Sequence, residues 1–182
     1  LLLGIETDTQ DTSGTVLKEG DTSGFTEEQV RDAIASFVGE QMQIPPMYSA
    51  LKVNGKKLYE LAREGKEVER KARPVTFYAI NIPGMDLPHV KIEVTCSKGT
   101  YIRTLCHDIG EKLGTHGCME TLLRTKVGIF ELEGAKKLSE VEQAVKEERI
   151  LSLIVPVDEL FSEYPAVYMK PEMDKILLNG NP

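Results

Sequence analysis

Arg103 sits in "CSKGTYIRTLCHDIGEKLG", residues 96 to 114, where apolar alternation gives way to helical spacing. It falls in the first turn of the expected helix. There the positive end of the helix dipole disfavours a cation by ~0.3–1 kcal/mol. An arginine in that position needs compensation from a carboxylate elsewhere in the fold or from a phosphate. The plainer reading is a surface side chain whose stem covers apolar area, or one paired with Asp108 or Glu111. His107 lies on the same helix side. Cys106, His107, His116 and Cys118 could in principle ligate zinc. Their C-H-x8-H-x-C spacing lacks the two separated short pairs of structural zinc sites. Cys96 and Cys106 lie on apolar faces, as core cysteines do. No metal is expected.

A second chemical feature is charge segregation. The net charge is -7, yet residues 51 to 73 carry eight basic and four acidic side chains. Residues 1 to 44 carry two basic and nine acidic ones. The field near a binding surface is local, so a basic segment on an acidic chain can still hold phosphates. The alternative is a solvated amphipathic helix with charged flanks.

The elements that must position these residues follow from pattern. "LLLGI" reads as a short buried strand, and "ETDTQDTSG" as a polar loop. Thr26 to Gln29 form a capping box opening a helix to about Val38, with Val30, Ile34, Phe37 and Val38 as its stripe. Pro45-Pro46 imposes extended backbone. Asn54-Gly55 marks a tight turn, followed by a short helix with Leu58, Leu61 and Ala62 on one side and Gly65 at its C-cap. "PVTFYAINI" and "VKIEVTC" alternate as strands, with a break at Pro83-Gly84. The helix after "SKGT" puts Ile102, Leu105, Cys106, Ile109 and Leu113 on one face. "KVGIFEL" reads as a strand, and Ser139 to Glu142 as a second capping box for a helix to about Glu148. "AVYMKPEMDKILLNG" reads as a strand and a short helix. Strands and helices without strict alternation indicate an α+β fold with a largely antiparallel sheet.

The chain has 182 residues, 41% hydrophobic. That is enough for one domain with a core or a domain plus part of another. No apolar run reaches the ~20 residues of a membrane span. Three cysteines suit a reduced, cytoplasmic protein. The chain opens without Met and reads as part of a longer one.

Four stretches in order resemble one family. "CSKGTYIRTLCHDIGEKLG" is similar to a motif of the bacterial tRNA pseudouridine synthase B family, TruB. "LGIETDTQDTSG" resembles the segment after its catalytic one. "IPPMYSALKVNGKKLYELAREGKEVERKARPV" resembles its RNA-gripping thumb loop, and "LLRTKVGIF" its late active-site strand. The likeness covers about residues 2 to 160. It implies a pseudouridine-synthase-like sheet flanked by helices, with a thumb insertion at about 44–73. Residues 1–160 would be the central and C-terminal part of the catalytic domain, and 161–182 the start of a PUA-like RNA-binding domain. It implies isomerisation of a tRNA T-loop uridine to pseudouridine, with the base flipped into the pocket. The reaction uses no metal or organic cofactor. The partner would be the tRNA T-arm, and the protein a cytoplasmic monomer.

Residue by residue, the resemblance makes Arg103 the ion-pair partner of the catalytic aspartate, Tyr101 a pocket tyrosine, and Leu122 the apolar residue against the flipped base. Lys52, Lys56, Lys57, Arg63, Lys98 and Arg124 would contact RNA. The family's catalytic aspartate lies in a G-x-L-D-P-x-A-x-G segment that these 182 residues do not contain. Asp8 and Asp11 follow that segment's place and are not assigned its role. This chain alone is therefore expected to be inactive. The alternatives are a non-catalytic tRNA-binding module on a synthase-like core, and a zinc-dependent fold.

Overall fold

Val90 is buried and Ile92, Val94 and Cys96 half-buried along one strand, because the period of two puts them all on one face. They meet a helix whose Leu105, Cys106 and Ile109 recur at helical spacing and are at most 1% exposed. The computed structural model describes residues 1–180. The last two residues of the segment 161–182, expected to open a PUA-like domain, lie outside that range. The chain divides into two compact units, residues 1–122 and residues 123 onward. The boundary expected at 160/161 falls inside the second.

The first unit contains β1 (Leu2–Leu3), β2 (Ile5–Thr7), β3 (Val16–Glu19), α1 (Glu27–Ala35) and β4 (Gly39–Gln43). These are followed by β5 (Lys52–Val53), β6 (Lys56–Lys57), α2 (Leu58–Arg63), β7 (Arg73–Asp86), β8 (His89–Cys96), α3 (Ile102–Leu113) and β9 (Gly117–Cys118). The five-stranded sheet runs β4-β7-β8-β1-β9, with every neighbouring pair antiparallel. Hairpins β2–β3 and β5–β6 stand apart from it. The α+β class with an antiparallel sheet is thus observed.

Val30 and Ile34 of α1, Val75 and Phe77 of β7, Val90, and the α3 stripe form one core. Each buried Leu, Ile or Phe among them is worth roughly 1.5–3 kcal/mol. The thumb has a core of its own: Met47, Leu58 and Leu61, packed by Tyr48, Leu51, Val53, Ala62 and Val68. Asn54 and Gly55 both take positive φ, as a two-residue hairpin turn requires.

Several elements differ from expectation. "LLLGI" is two strands, because Gly4 at φ +85° lets Leu2–Leu3 join the main sheet and sends Ile5–Thr7 to β3. β7 runs through Pro83-Gly84 without breaking. The register slips between Asn81 and Gly84, so proline's missing donor falls at a bulge. The turn is instead at Leu87-Pro88. α1 ends at Ala35, and Phe37 and Val38 follow in tighter turns whose N–H groups donate to Ile34 and Ala35 carbonyls. The Thr26 capping box forms as expected.

In the second unit "KVGIFEL" is a hairpin, β10 (Lys126–Val127) with β11 (Phe130–Glu131), turned by Gly128 at φ +57°. α4 (Leu138–Lys146) starts ahead of Ser139, because Glu140 Oε2 accepts the Lys137 N–H at 2.8 Å. Among the described residues no strand forms between 163 and 170; α5 (Asp174–Leu178) follows. Among them, too, no helix is long and apolar enough to cross a membrane.

Gly110 fixes the seat of α3. A Cβ there would overlap the backbone of His116 and Gly117, where β9 crosses the helix. Glycine to alanine inside a helix normally gains about 0.5–1 kcal/mol. Here overpacking reverses the sign, and Gly110→Ala should lower stability by roughly 1–3 kcal/mol. Urea unfolding of both forms checks this; a stabilised variant would refute the close approach.

Candidate active site

Tyr101 is the N-cap of α3, with extended backbone and no side-chain cap, and Arg103 follows in the first turn. The guanidinium has acceptors from two distant segments. Its Nη1 donates to Thr9 O at 3.1 Å and to Asp11 Oδ2 at 3.2 Å. Its Nη2 donates to Tyr48 O at 2.7 Å. Arg103 and Asp11 are 22% and 19% exposed at the side chain, dry enough for such bonds to count. The charge at the helix start is thereby offset.

Among the described residues the carboxylate comes from elsewhere in the fold. Asp11, which the resemblance assigns no role in the site, is the carboxylate on Arg103. The loop carrying it is fastened on two sides. Thr7 Oγ1 donates to Asp11 O at 2.7 Å, and Thr9 Oγ1 to Asp11 Oδ1 at 2.8 Å. The N–H of Ser13 donates to the same Oδ1 at 3.0 Å, and the Ser13 hydroxyl donates there too. Gln10, at φ +62°, accepts from Thr104 of α3 through its side chain at 2.8 Å. Beyond β9, Met119 N–H donates to Gln10 O and Thr12 N–H to Met119 O, both at 3.0 Å. Burial alone would raise the Asp11 pKa. The Ser13 and Thr9 hydroxyls, the Ser13 N–H and the Arg103 charge together hold it below the usual carboxylate value.

Tyr101 is half-buried, and its main chain is gripped by Gln43. Leu122 is 55% exposed after β9, so it is no ordinary core leucine. Lys52, Lys56 and Lys57 lie on the β5–β6 hairpin. Lys57 and Arg63 both stand over the Tyr59 ring, 5.3 and 5.4 Å from its centroid. Tyr59 is thus packed under two cations. Lys56 reaches Glu64 at 3.7 Å. Lys98 is exposed in the turn before α3. Arg124 is exposed in the second unit.

Of the supposed zinc ligands, Cys106 is buried and its thiol is pushed up to about 11 by that burial, so it stays protonated at neutral pH. Among the described residues the cluster of three potential metal ligands is instead Glu6, Glu111 and His116. Lys18 pairs with Glu6 at 2.8 Å, and His116 is hydrogen-bonded to Glu111 at 2.6 Å, so these groups already have protein partners.

Two family models match this sequence: "TruB family pseudouridylate synthase (N terminal domain)" over residues 1–102, and "tRNA pseudouridylate synthase B C-terminal domain" over 103–162. A tRNA pseudouridine synthase B of Clostridium tetani is 47% identical over 180 residues, covering 99% of this chain and 61% of that protein. One of Lachnoclostridium phytofermentans is 51% identical over 156 residues, covering 81% of this chain and 51% of that protein. The chain therefore spans between half and two thirds of the length of these relatives. A chain in a crystal structure of a Cbf5-Nop10-Gar1 complex superposes with a TM-score of 0.64 at 26% identity, covering 87% of this chain and 45% of that one.

Removing Asp11 leaves a half-buried guanidinium short of one acceptor. Asp11→Ala should cost about 1–3 kcal/mol at neutral pH. The pKa is depressed in the fold, so this contribution is present above the unfolded-state value of about 3.9 and is lost as pH falls through the folded one. The gap between wild type and variant in urea titrations should be widest near neutrality and close in acid. A gap independent of pH would contradict the lowered pKa of Asp11 and the hydrogen bonds and charge that cause it.

Proposed function

The chain belongs to the TruB family of pseudouridylate synthases, and on that premise we propose that it serves in a tRNA pseudouridine synthase acting on a T-loop uridine. The reaction breaks the N-glycosidic bond, turns the base and rejoins it through carbon. The observation that carries this reading is the guanidinium of Arg103, held by Asp11 and two carbonyls beside the half-buried Tyr101. Arginine has five N–H donors in a fixed fork. Among the described residues the hydrogen bonds to Arg103 engage Nη1 and Nη2 and leave Nε free. That donor, with the second hydrogen of Nη2, suits a further carboxylate approaching side-on. The family's catalytic aspartate would be that carboxylate, kept ionised and aimed by Arg103. Its motif is not in these 182 residues, so this polypeptide alone makes no pseudouridine.

Tyr101 would line the pocket and the exposed Leu122 would pack on the flipped base, desolvating it. Lys52, Lys56, Lys57 and Arg63 on the thumb, with Lys98 and Arg124, would hold the phosphates of the T-arm, while the splayed loop is read by its bases. Residues 161–182 would open a C-terminal RNA-binding domain. The working protein would be a cytoplasmic monomer.

The test is the intact mass of the native gene product beside a pseudouridine assay on T-arm RNA. A product longer than this chain, with turnover, supports the synthase. Arg103→Ala should then lower the rate by roughly 100-fold or more. Lys52→Ala with Lys56→Ala should weaken RNA binding and flatten its salt dependence, by about one unit of slope for each phosphate no longer neutralised. Salt-dependent RNA binding without turnover would favour the non-catalytic binding module and overturn the enzymatic reading.

A further inference from the structure

Gln43 ends β4 at an inward position, where the pattern of the strand calls for an apolar side chain, and it is only 4% exposed. Its amide makes a reciprocal pair with the main chain of Tyr101. Nε2 donates to Tyr101 O at 3.1 Å, and Oε1 accepts Tyr101 N–H at 2.8 Å. A side chain thus imitates a strand partner for the residue that starts α3. Tyr101 has no side-chain cap, so these two bonds fix the peptide planes on both sides of it. They set the direction in which the helix leaves.

The same stretch touches α3 a second time. After Gln43 the chain runs through buried Pro45, Pro46 and Met47 to Tyr48, whose carbonyl accepts from Arg103 at 2.7 Å. Residues 43 to 48 are also the root of the thumb. Their two ends hold the main chain of Tyr101 and the head group of Arg103.

We propose that Gln43 is a positioning residue for the isomerisation, clamping the start of α3 to the root of the thumb so that the Arg103 guanidinium is aimed at its carboxylates. This rests on the synthase reading. The amide is needed because only a group that donates and accepts at once can hold both Tyr101 atoms from the root of the thumb. A methionine of similar length fills the space, leaves the Tyr101 N–H without its acceptor, and leaves Tyr101 O only the Leu105 N–H of the helix. The helix start can then shift while the core beneath Leu105 and Ile109 stays packed. A displacement of about 1 Å at a catalytic group is enough to cost about 100-fold in rate.

The experiment compares Gln43→Met with Gln41→Met in the native gene product, by single-turnover rate, KM and T-arm RNA affinity. Gln41 lies on the same strand and donates to Ser36 O at the end of α1, with no hydrogen bond to Tyr101 or Arg103 among the described residues. Gln43→Met should lose about tenfold or more in rate, with KM and RNA affinity within about twofold of wild type, while Gln41→Met keeps the wild-type rate. Should Gln43→Met fail to fold, Gln43→Asn carries the same expectation, since its shorter arm cannot reach both Tyr101 groups. An unchanged rate in the folded Gln43 variant, or a loss confined to RNA affinity, overturns the proposal and leaves the synthase reading standing. A wild-type product without turnover removes that reading, and this proposal with it.

Discussion

The structure depends on one awkward charge. A guanidinium in the first turn of a helix meets the positive end of the dipole, and a partly buried one also loses water. It is tolerable only where acceptors are brought to it. Here they come from residues 94, 92 and 55 positions away. The sheet order makes this possible. β1 lies between β8 and β9, so the loop after β2 reaches the side of α3 that Arg103 occupies. The close approach of Gly110 to Gly117 sets α3 against β9, beside the Met119 segment that holds the loop from its other edge. Core packing and site geometry are therefore one arrangement.

The thumb follows a different logic. It has its own small core and a basic outer surface, on a chain whose net charge is -7. For the proposed RNA contacts its lysines would act through the local field, which needs proximity more than strict placement. Its root demands strict placement, because residues 43 to 48 are hydrogen-bonded at both ends to the start of α3. On the proposed reading, affinity and aim would belong to opposite ends of one insertion.

What was legible in the sequence was whatever local chemistry decides. The α3 stripe, the Thr26 capping box and the Asn54-Gly55 turn depend on residues within a few positions of one another. Arg103 was legible as a question, because its place in the helix is unfavourable by itself. Its partner was not, since nothing local says which polar loop reaches a helix some ninety residues away. The loop's own composition was the available signal: Thr9 and Ser13 hold the Asp11 carboxylate with hydroxyls, and Thr7 holds its main-chain carbonyl. Gln43 was hidden for the opposite reason. A polar residue at an inward strand position reads as a flaw in the alternation until the main chain it serves is seen. The run through Pro83 was not legible because a bulge absorbs the proline, nor the split of "KVGIFEL" because one glycine turns it.

The way Asp11 is held also bears on what Arg103 can still do. If the ion pair itself kept Asp11 charged, the arginine's field would be largely spent on it. The causes are ordered otherwise. Burial pushes the Asp11 pKa up, the Ser13 and Thr9 hydroxyls and the Ser13 N–H pull it down, and the Arg103 charge contributes least. The Asp11 carboxylate is thus held mainly by hydrogen bonds within its own loop. It aligns Arg103 through Nη1 and leaves the Nε donor and part of the positive field unengaged among the described residues. A second carboxylate entering there meets a cation whose direction is already set by groups that need not rearrange, which is the preorganisation an active site requires.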